Sequence, residues 1–358
     1  MFEKSKIKSY RYDYELEFDD NILNSLSELT DEADFFVIDK NVFELYPEIA
    51  DFIKGRKHRI IEATEEEKSY KAIIPLIENL TQTRFTKANK LIAIGGGVIQ
   101  DITAFTASIF SRGTPWIFVP TTLLAQCDSC IGSKTSINFG EYKNQVGGFF
   151  PPRKVLVDFK FLKTLPELEI RAGLGEMMHY FLVDNEESYQ FAKELFPDAP
   201  SNIENLKKLI AKSLSIKKAM IEIDEFDSGP RNVFNYGHSF GHAIEASTNY
   251  KVPHGMAVAF GMDIANMVSN SLGLIEKELR NDVRKTLSPV FDDELISGLD
   301  LEKFFAALKR DKKNEGKNIK VILTRGIGDM FKTTLVLDDE KKKLMHDYFS
   351  NKFWHSDL

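Results

Sequence analysis

The chain has 358 residues, enough for about two domains at roughly 150 residues each, and its 43% apolar and 28% charged content is that of a globular protein, not a disordered or collagen-like one. Lys and Arg number 47 against 54 for Asp and Glu; the net charge of −7 speaks against nucleic acid or an anionic membrane as the main partner. No apolar run nears the ~20 residues a bilayer requires, the charged start MFEKSKIKSYRYDYELEF lacks a secretory apolar core, and two cysteines cannot staple a chain this long, so a reducing cytoplasm is expected. In chain order, Phe35–Asp39 (FFVID) reads as a buried strand, Ala72–Thr81 as a helix, and Leu91–Gly97 (LIAIGGG) as a strand running into a glycine turn. Ile102–Ser111 has helical spacing, and Trp116–Thr122 and Lys154–Phe159 are further strands. This alternation predicts an α/β fold: a Rossmann-like N-terminal domain with a parallel sheet over residues 1–165. Beyond Leu165-Pro166, long amphipathic stretches follow at Glu167–Val183, Asn202–Ile223, His238–Ser247 and Met256–Leu272, predicting a mostly helical domain over 166–358 with one late extended run, Lys320–Gly328.

Three groups of residues could carry chemistry. Gly95-Gly96-Gly97-Val98-Ile99-Gln100-Asp101 lies between a strand and a helix, where bare backbone and a helix N-terminus suit a pyrophosphate; tight packing is the competing reading, and Gln100 departs from G-x-G-x-x-G. Asp39, ending an earlier strand, can take ribose hydroxyls or cap a helix. Gly132-Ser133-Lys134-Thr135 resembles only the tail of a phosphate-binding P-loop, because the first glycine is missing; with Lys143 and Asn144 it forms a cationic polar loop suited to phosphate or carboxylate. Four of the seven histidines, His179, His238, His242 and His254, fall within one stretch that also holds Glu176, a donor set fitting a divalent metal. Cys127 and Cys130 have C-x-x-C spacing, but no second pair completes a zinc site and buried small residues are expected.

These motifs, in this order, resemble the dehydroquinate synthases within the wider sugar phosphate cyclase family. The resemblance runs from about Thr64 to Ile327 through GGGVIQD, SRG, VPTTLLAQCDSCIGSKTSIN, KNQVGGFFPP, LKTLP, AGLGEM, RNVFNYGHSFGHAIE, HGMAVAFGM and RDKKNEGK. It implies NAD and a divalent metal, zinc or cobalt, a small acidic sugar phosphate as substrate and a homodimer. Phosphate elimination from a heptulosonate, between a transient oxidation by NAD and its reversal, would be followed by aldol closure to 3-dehydroquinate. By the same resemblance Glu176, His238 and His254 are the metal ligands. Cofactor contacts fall on Asp39 and Asn41, on Glu65 and Lys68, on Gly97, Val98, Ile99, Gln100 and Asp101, and on Thr121 and Thr122. Asp128, Lys134, Lys143 and the turn Phe161, Leu162, Lys163 and Thr164 complete that set. Substrate contacts fall on Asp128, Lys134, Asn144, His179, Lys217, Arg231, Asn235 and His242, with the Lys312-Lys313 pair, and Arg112 matches an arginine that reaches the phosphate in a partner subunit's site.

The chain departs from the family pattern at His179, where a lysine is usual, and at Ser133, Gln100 and Met256. A histidine loses its charge near neutrality whereas a lysine does not, so substrate preference is open to change at His179. A sister cyclase acting on a heptulose phosphate without the carboxylate is the competing enzyme; Arg231, Lys217 and Asn235 count against it. A metal-dependent NAD alcohol dehydrogenase shares the two-domain plan and would accumulate NADH, and a paralogue that only binds NAD is a third reading.

Overall fold

The computed structural model describes residues 4–140, 142–310 and 318–355, which group into two compact units. Met1–Leu165 and Lys217–Asp227 make the first, Pro166–Ile216 and Ser228–Leu358 the second. The sequence reading draws a single boundary at 165; contacts place the end of the helix Ile203–Ile223, and the turn after it, with the α/β unit.

The strands in chain order are β1 (Lys4–Ile7), β2 (Tyr14–Phe18), β3 (Phe35–Asp39), β4 (Lys57–Ile61), β5 (Leu91–Gly95), β6 (Trp116–Pro120), β7 (Lys134–Phe139), β8 (Tyr142–Phe149), β9 (Lys154–Val157), β10 (Asn318–Thr324) and β11 (Met330–Val336). In the first unit, seven of them form a sheet ordered β1-β2-β9-β6-β5-β3-β4. It is parallel throughout except for the β1–β2 edge pair. The apolar runs of β3, β5 and β6 are buried at every residue, as central parallel strands covered on both faces require. Ile38, Ile92, Ile94, Val119 and Leu156 pack there with Ile22, Leu26, Ile49, Ile53 and Phe161. Each such side chain contributes about 1.5–3 kcal/mol by leaving water. Winding runs outward from β3 to β4 on one side and from β5 through β6 to β9 on the other, so its direction reverses between β3 and β5. Ile38 pairs with Ile94 across that junction, which sets Asp39 and Gly95 side by side at the carboxyl ends of their strands. Crevices at such switch points are where doubly wound sheets take ligands. The β7–β8 hairpin stands apart from the sheet.

In the second unit, the helices Glu167–Asp184 and His254–Ser271 are buried over almost all their length, the mark of central helices. Glycines let them meet backbone to backbone. A Cβ on Gly255 would stand 1.9 Å from the Ala172 carbonyl oxygen, and one on Gly175 would stand 2.1 Å from that of Gly255. His254–Ser271 meets the helix His238–Ser247 equally closely: a Cβ on Gly261 would fall 2.1 Å from the Gly237 oxygen. Three helices are thereby drawn together at the residues adjoining Glu176, His238 and His254. Lys320–Gly328 of the sequence reading corresponds to β10 and the turn after it, paired antiparallel with β11.

Candidate active site

Glu176, His238 and His254 lie on these three helices, with one donor atom from each within 4.8 Å of the others. His238 Nε2 is 3.5 Å from Glu176 Oε1, and His254 Nε2 is 3.5 Å from Glu176 Oε2. A tetrahedral centre with bonds of ~2.1 Å has ligand edges of about 3.4 Å, so a divalent ion fits this spacing. Both imidazoles are turned by their other nitrogen. His238 Nδ1 donates to the Tyr236 carbonyl at 3.2 Å, and His254 Nδ1 donates to Glu245 Oε2 at 3.0 Å, so each Nε2 lone pair is left for an ion. Glu176 is 4% exposed and its Oε2 is buried without a hydrogen-bond partner, a costly state that a cation relieves. Burial pushes the Glu176 carboxyl up; with no ion at their Nε2 atoms the imidazoles can be protonated, and the charges of His238 and His254, the hydrogen bond from His238 and the charge of His179 then outweigh burial and hold the group well below the usual carboxylate range.

His179, one turn after Glu176, is buried with Nδ1 3.7 Å from Glu176 Oε1. Its ring lies against Tyr180 and Phe234. The His242 ring stacks on His254 at 5.6 Å. Arg231 and Asn235 sit on the short turn Pro230–Asn235 that leads into His238; Arg231 is buried, and Asn235 donates to the Asn232 carbonyl.

In the first unit, the helix Gly97–Ile109 starts at the switch point with no side chain capping it, and a Cβ on Gly97 would meet nothing within 4 Å. An uncapped helix N-terminus with open space at its first glycine fits a pyrophosphate. Asp39 Oδ1 accepts from the Asn41 amide at 2.9 Å, so it caps the helix Lys40–Leu45, and burial raises its carboxyl. Lys68 pairs with Asp101 at 2.6 Å. Thr121 is buried, and the Thr122 hydroxyl accepts from the Ala125 amide. Phe161–Thr164 falls in a 3-10 turn, where Tyr46 packs on Phe161 and bonds the Thr164 hydroxyl at 2.6 Å. Lys143 lies exposed on β8. The Gln100 amide is engaged by Ser129, through its carbonyl at 2.6 Å and its hydroxyl at 2.5 Å, and ties the helix to the Ala125–Ser129 turn. Lys217 Nζ donates to both the carbonyl and Oδ1 of Asp128 at 2.7 Å, and Lys134 pairs with Asp227 at 2.6 Å. Arg112 is exposed at φ +65°, next to Ser111 at φ +49°. Lys312 and Lys313 lie outside the described residues. Cys127 and Cys130 are buried and form no disulfide, and burial pushes the Cys130 thiol up to about 12.

Glu245, Asp227, Ser129 and Asn138 are not among the site residues expected from the sequence. Glu245 had a signal: it stands seven residues after His238 and three after His242, on the same helix face. Asp227, Ser129 and Asn138 act on Lys134, Gln100 and Glu65, which lie 93, 29 and 73 residues away, and spacing cannot show such contacts.

Fold and site together define a doubly wound α/β unit of the nucleotide-taking kind and a helical unit in which two histidines and one carboxylate form a candidate cation site. Residues 58–172 match the 3-dehydroquinate synthase N-terminal family and residues 173–314 the 3-dehydroquinate synthase C-terminal family. The chain belongs to the 3-dehydroquinate synthase family. The 3-dehydroquinate synthase of Campylobacter concisus is 39% identical over 281 residues, 78% of this chain and 79% of that protein. That of Alkaliphilus metalliredigens is 36% identical over 317 residues, 87% and 89% of the two chains. A solved 2-deoxy-scyllo-inosose synthase, complexed with carbaglucose-6-phosphate, NAD+ and Co2+, has the same fold, with a TM-score of 0.85 and 24% identity over 97% of this chain and 99% of that one.

Proposed function

We infer that the chain is a 3-dehydroquinate synthase, converting 3-deoxy-D-arabino-heptulosonate 7-phosphate to 3-dehydroquinate and phosphate. The observation that carries this is the Glu176–His238–His254 constellation, with both histidines already oriented through Nδ1. Glu176, His238 and His254 would hold the metal; Asp39, Gly97 and the neighbouring switch-point residues would hold NAD. When bound, NAD supplies a hydride acceptor that gives the hydride back within the turnover, and the metal supplies a Lewis acid.

The remaining roles belong to side chains. Arg231 would offer the substrate carboxylate a bidentate fork, and Lys217, whose ammonium the Asp128 carboxylate and carbonyl already position, would take a substrate anion. Lys134, Asn144 and His242 take phosphate and ring hydroxyls, and an incoming anion shares Lys134 with Asp227. Arg112, exposed on the left-handed turn it shares with Ser111, would reach the phosphate in the partner subunit's site of a homodimer. The pathway is that of aromatic amino acids and the compartment the cytoplasm.

The test is phosphate release from the heptulosonate phosphate with NAD and Zn2+ or Co2+, with NADH absorbance followed in parallel. Stoichiometric phosphate with flat NADH absorbance is expected. Net NADH would assign the chain to the alcohol dehydrogenases, and a preference for sedoheptulose phosphate would assign it to a sister cyclase.

A further inference from the structure

We propose that Asn138 is a positioning residue that holds Asn144 in its working conformation and fastens it to the Glu65–Lys68 segment. The proposal rests on the reading that Asn144 faces the sugar phosphate while Glu65 and Lys68 face the cofactor.

Asn144 is not a glycine, yet its backbone is left-handed at φ +51°. Asparagine tolerates this region better than most residues but does not choose it unaided. Two bonds select it here. The Asn138 side-chain oxygen accepts from the Asn144 amide at 2.9 Å, and the Ser136 hydroxyl donates to Asn144 Oδ1 at 3.0 Å. The other end of the Asn138 side chain points the opposite way: Nδ2 donates to Glu65 Oε1 at 2.8 Å and to the Glu65 carbonyl at 3.2 Å. Its backbone amide donates to the Lys68 carbonyl at 2.8 Å. Lys68 pairs with Asp101, and Asp101 Oδ1 accepts from the Ser136 amide at 3.4 Å.

These contacts close a ring. It passes from Asn138 to Asn144, to Ser136, to Asp101 at the start of the switch-point helix, to Lys68, and back to Asn138. All of its members lie in the first unit. Every polar atom of the Asn138 side chain is used, one side on Asn144 and the other on Glu65. Occupation of the Glu65–Lys68 segment therefore bears on the geometry of Asn144 through the Asn138 amide on one side of the ring and through Asp101 and Ser136 on the other. β8, which carries Asn144, is exposed along nearly its whole length, whereas β7 anchors the hairpin through the buried Thr135 and Ile137.

The two ends of the amide can be cut separately. Asn138→Ala removes both. Asn138→Asp keeps an acceptor for the Asn144 amide, loses the donor to Glu65 and sets a carboxylate against Glu65. With Asn138→Ala, the KM for the heptulosonate phosphate should rise roughly 5- to 30-fold, the loss of one or two hydrogen bonds, with kcat within about threefold of wild type. NAD binding, measured by calorimetry without substrate, should weaken roughly fivefold or more in both variants. The Asn138→Asp KM should return to within about threefold of wild type. A residue that merely stabilises the fold would move KM, NAD affinity and melting temperature together in both variants, which overturns the proposal. So does an Asn138→Ala KM within twofold of wild type, or an Asn138→Asp KM as high as that of the alanine variant. If the wild-type protein does not turn over the heptulosonate phosphate, the functional reading fails and the tie to Asn144 fails with it. The calorimetric comparison then still decides the tie to Glu65–Lys68.

Discussion

The crossing of Glu167–Asp184 and His254–Ser271 can be tested by giving Gly255 a side chain. In Gly255→Ala the new Cβ stands 1.9 Å from the Ala172 carbonyl oxygen and 2.9 Å from the Glu176 amide nitrogen, both backbone atoms that cannot swing aside. Contacts below 3.0 Å are not sustained, so the two helices must part by roughly 1 Å. Overpacking of this kind costs about 1–3 kcal/mol. For a unit of this size that lowers the melting temperature by about 2–12 °C. The same displacement carries His254 away from Glu176, opening a 3.5 Å separation that suits a shared divalent ion. Zinc affinity, measured by competition with a chromophoric chelator, should fall by a factor on the order of 10–100, as when a ligand loses its orientation. Circular dichroism melts of the metal-free protein separate the two effects. A Gly255→Ala protein that melts within a degree of wild type and binds zinc equally well would refute the claim that this crossing positions the centre.

Gly97→Ala should behave oppositely: its Cβ enters open space, so melting should hold or rise slightly while NAD affinity drops about tenfold or more, and unchanged NAD binding by calorimetry would remove this helix start from the cofactor site. Glu245→Ala leaves His254 Nδ1 without its carboxylate, and metal affinity should weaken by about 10–100-fold, with Glu245→Gln intermediate; equal chelator-competition curves would exclude orientation by Glu245. Asp293 accepts from Lys352, Trp354 and His355; partial burial pushes its carboxyl up, but these partners overcome that and hold it below the usual carboxylate range. Because the folded value is depressed, its stabilisation is present above the unfolded value of ~3.9 and is lost as pH falls through the folded one. The melting difference between wild type and Asp293→Asn should therefore be present at pH 5, where the carboxylate is ionised and histidine is charged, and shrink below about pH 4, and a difference undiminished at pH 2 would count against the ionic contact.

The buried strands were the most legible part of the fold. FFVID is β3 to the residue, and the runs at Trp116 and Lys154 contain β6 and β9, because strands covered on both faces carry unbroken apolar sequence. Strand β4, KHRII, is an edge strand with alternating exposure, and β8, YKNQVGGF, is exposed almost throughout; neither leaves an apolar trace. The switch-point helix begins at Gly97 rather than Ile102, since the glycine turn is itself its first turn, and His254 opens the last central helix, two residues before the apolar pattern starts at Met256. Donor type drew Glu176 and the histidines at 179, 238, 242 and 254 together as a candidate set, and the family resemblance singled out Glu176, His238 and His254, whose donor atoms lie within 4.8 Å of one another. The orientation of His238 by a backbone carbonyl could not be read from the sequence, because any residue at position 236 supplies one. Nor could the engagement of Gln100 with Ser129, which depends on a turn 29 residues away.

The two histidines are oriented by unlike groups, one by the neutral Tyr236 carbonyl and the other by the Glu245 carboxylate, and this fixes an electrical balance. Glu176 and Glu245 are 4% and 7% exposed, so two negative charges lie in a setting where water screens them poorly. Neutral imidazoles add nothing to that count. A cation of charge two brings the cluster to zero; a monovalent ion leaves one charge over, and a trivalent ion reverses its sign. Were an ion held by Glu176, His238 and His254, selection among ions of similar size would begin with valence, set in part by the Glu245 carboxylate behind His254.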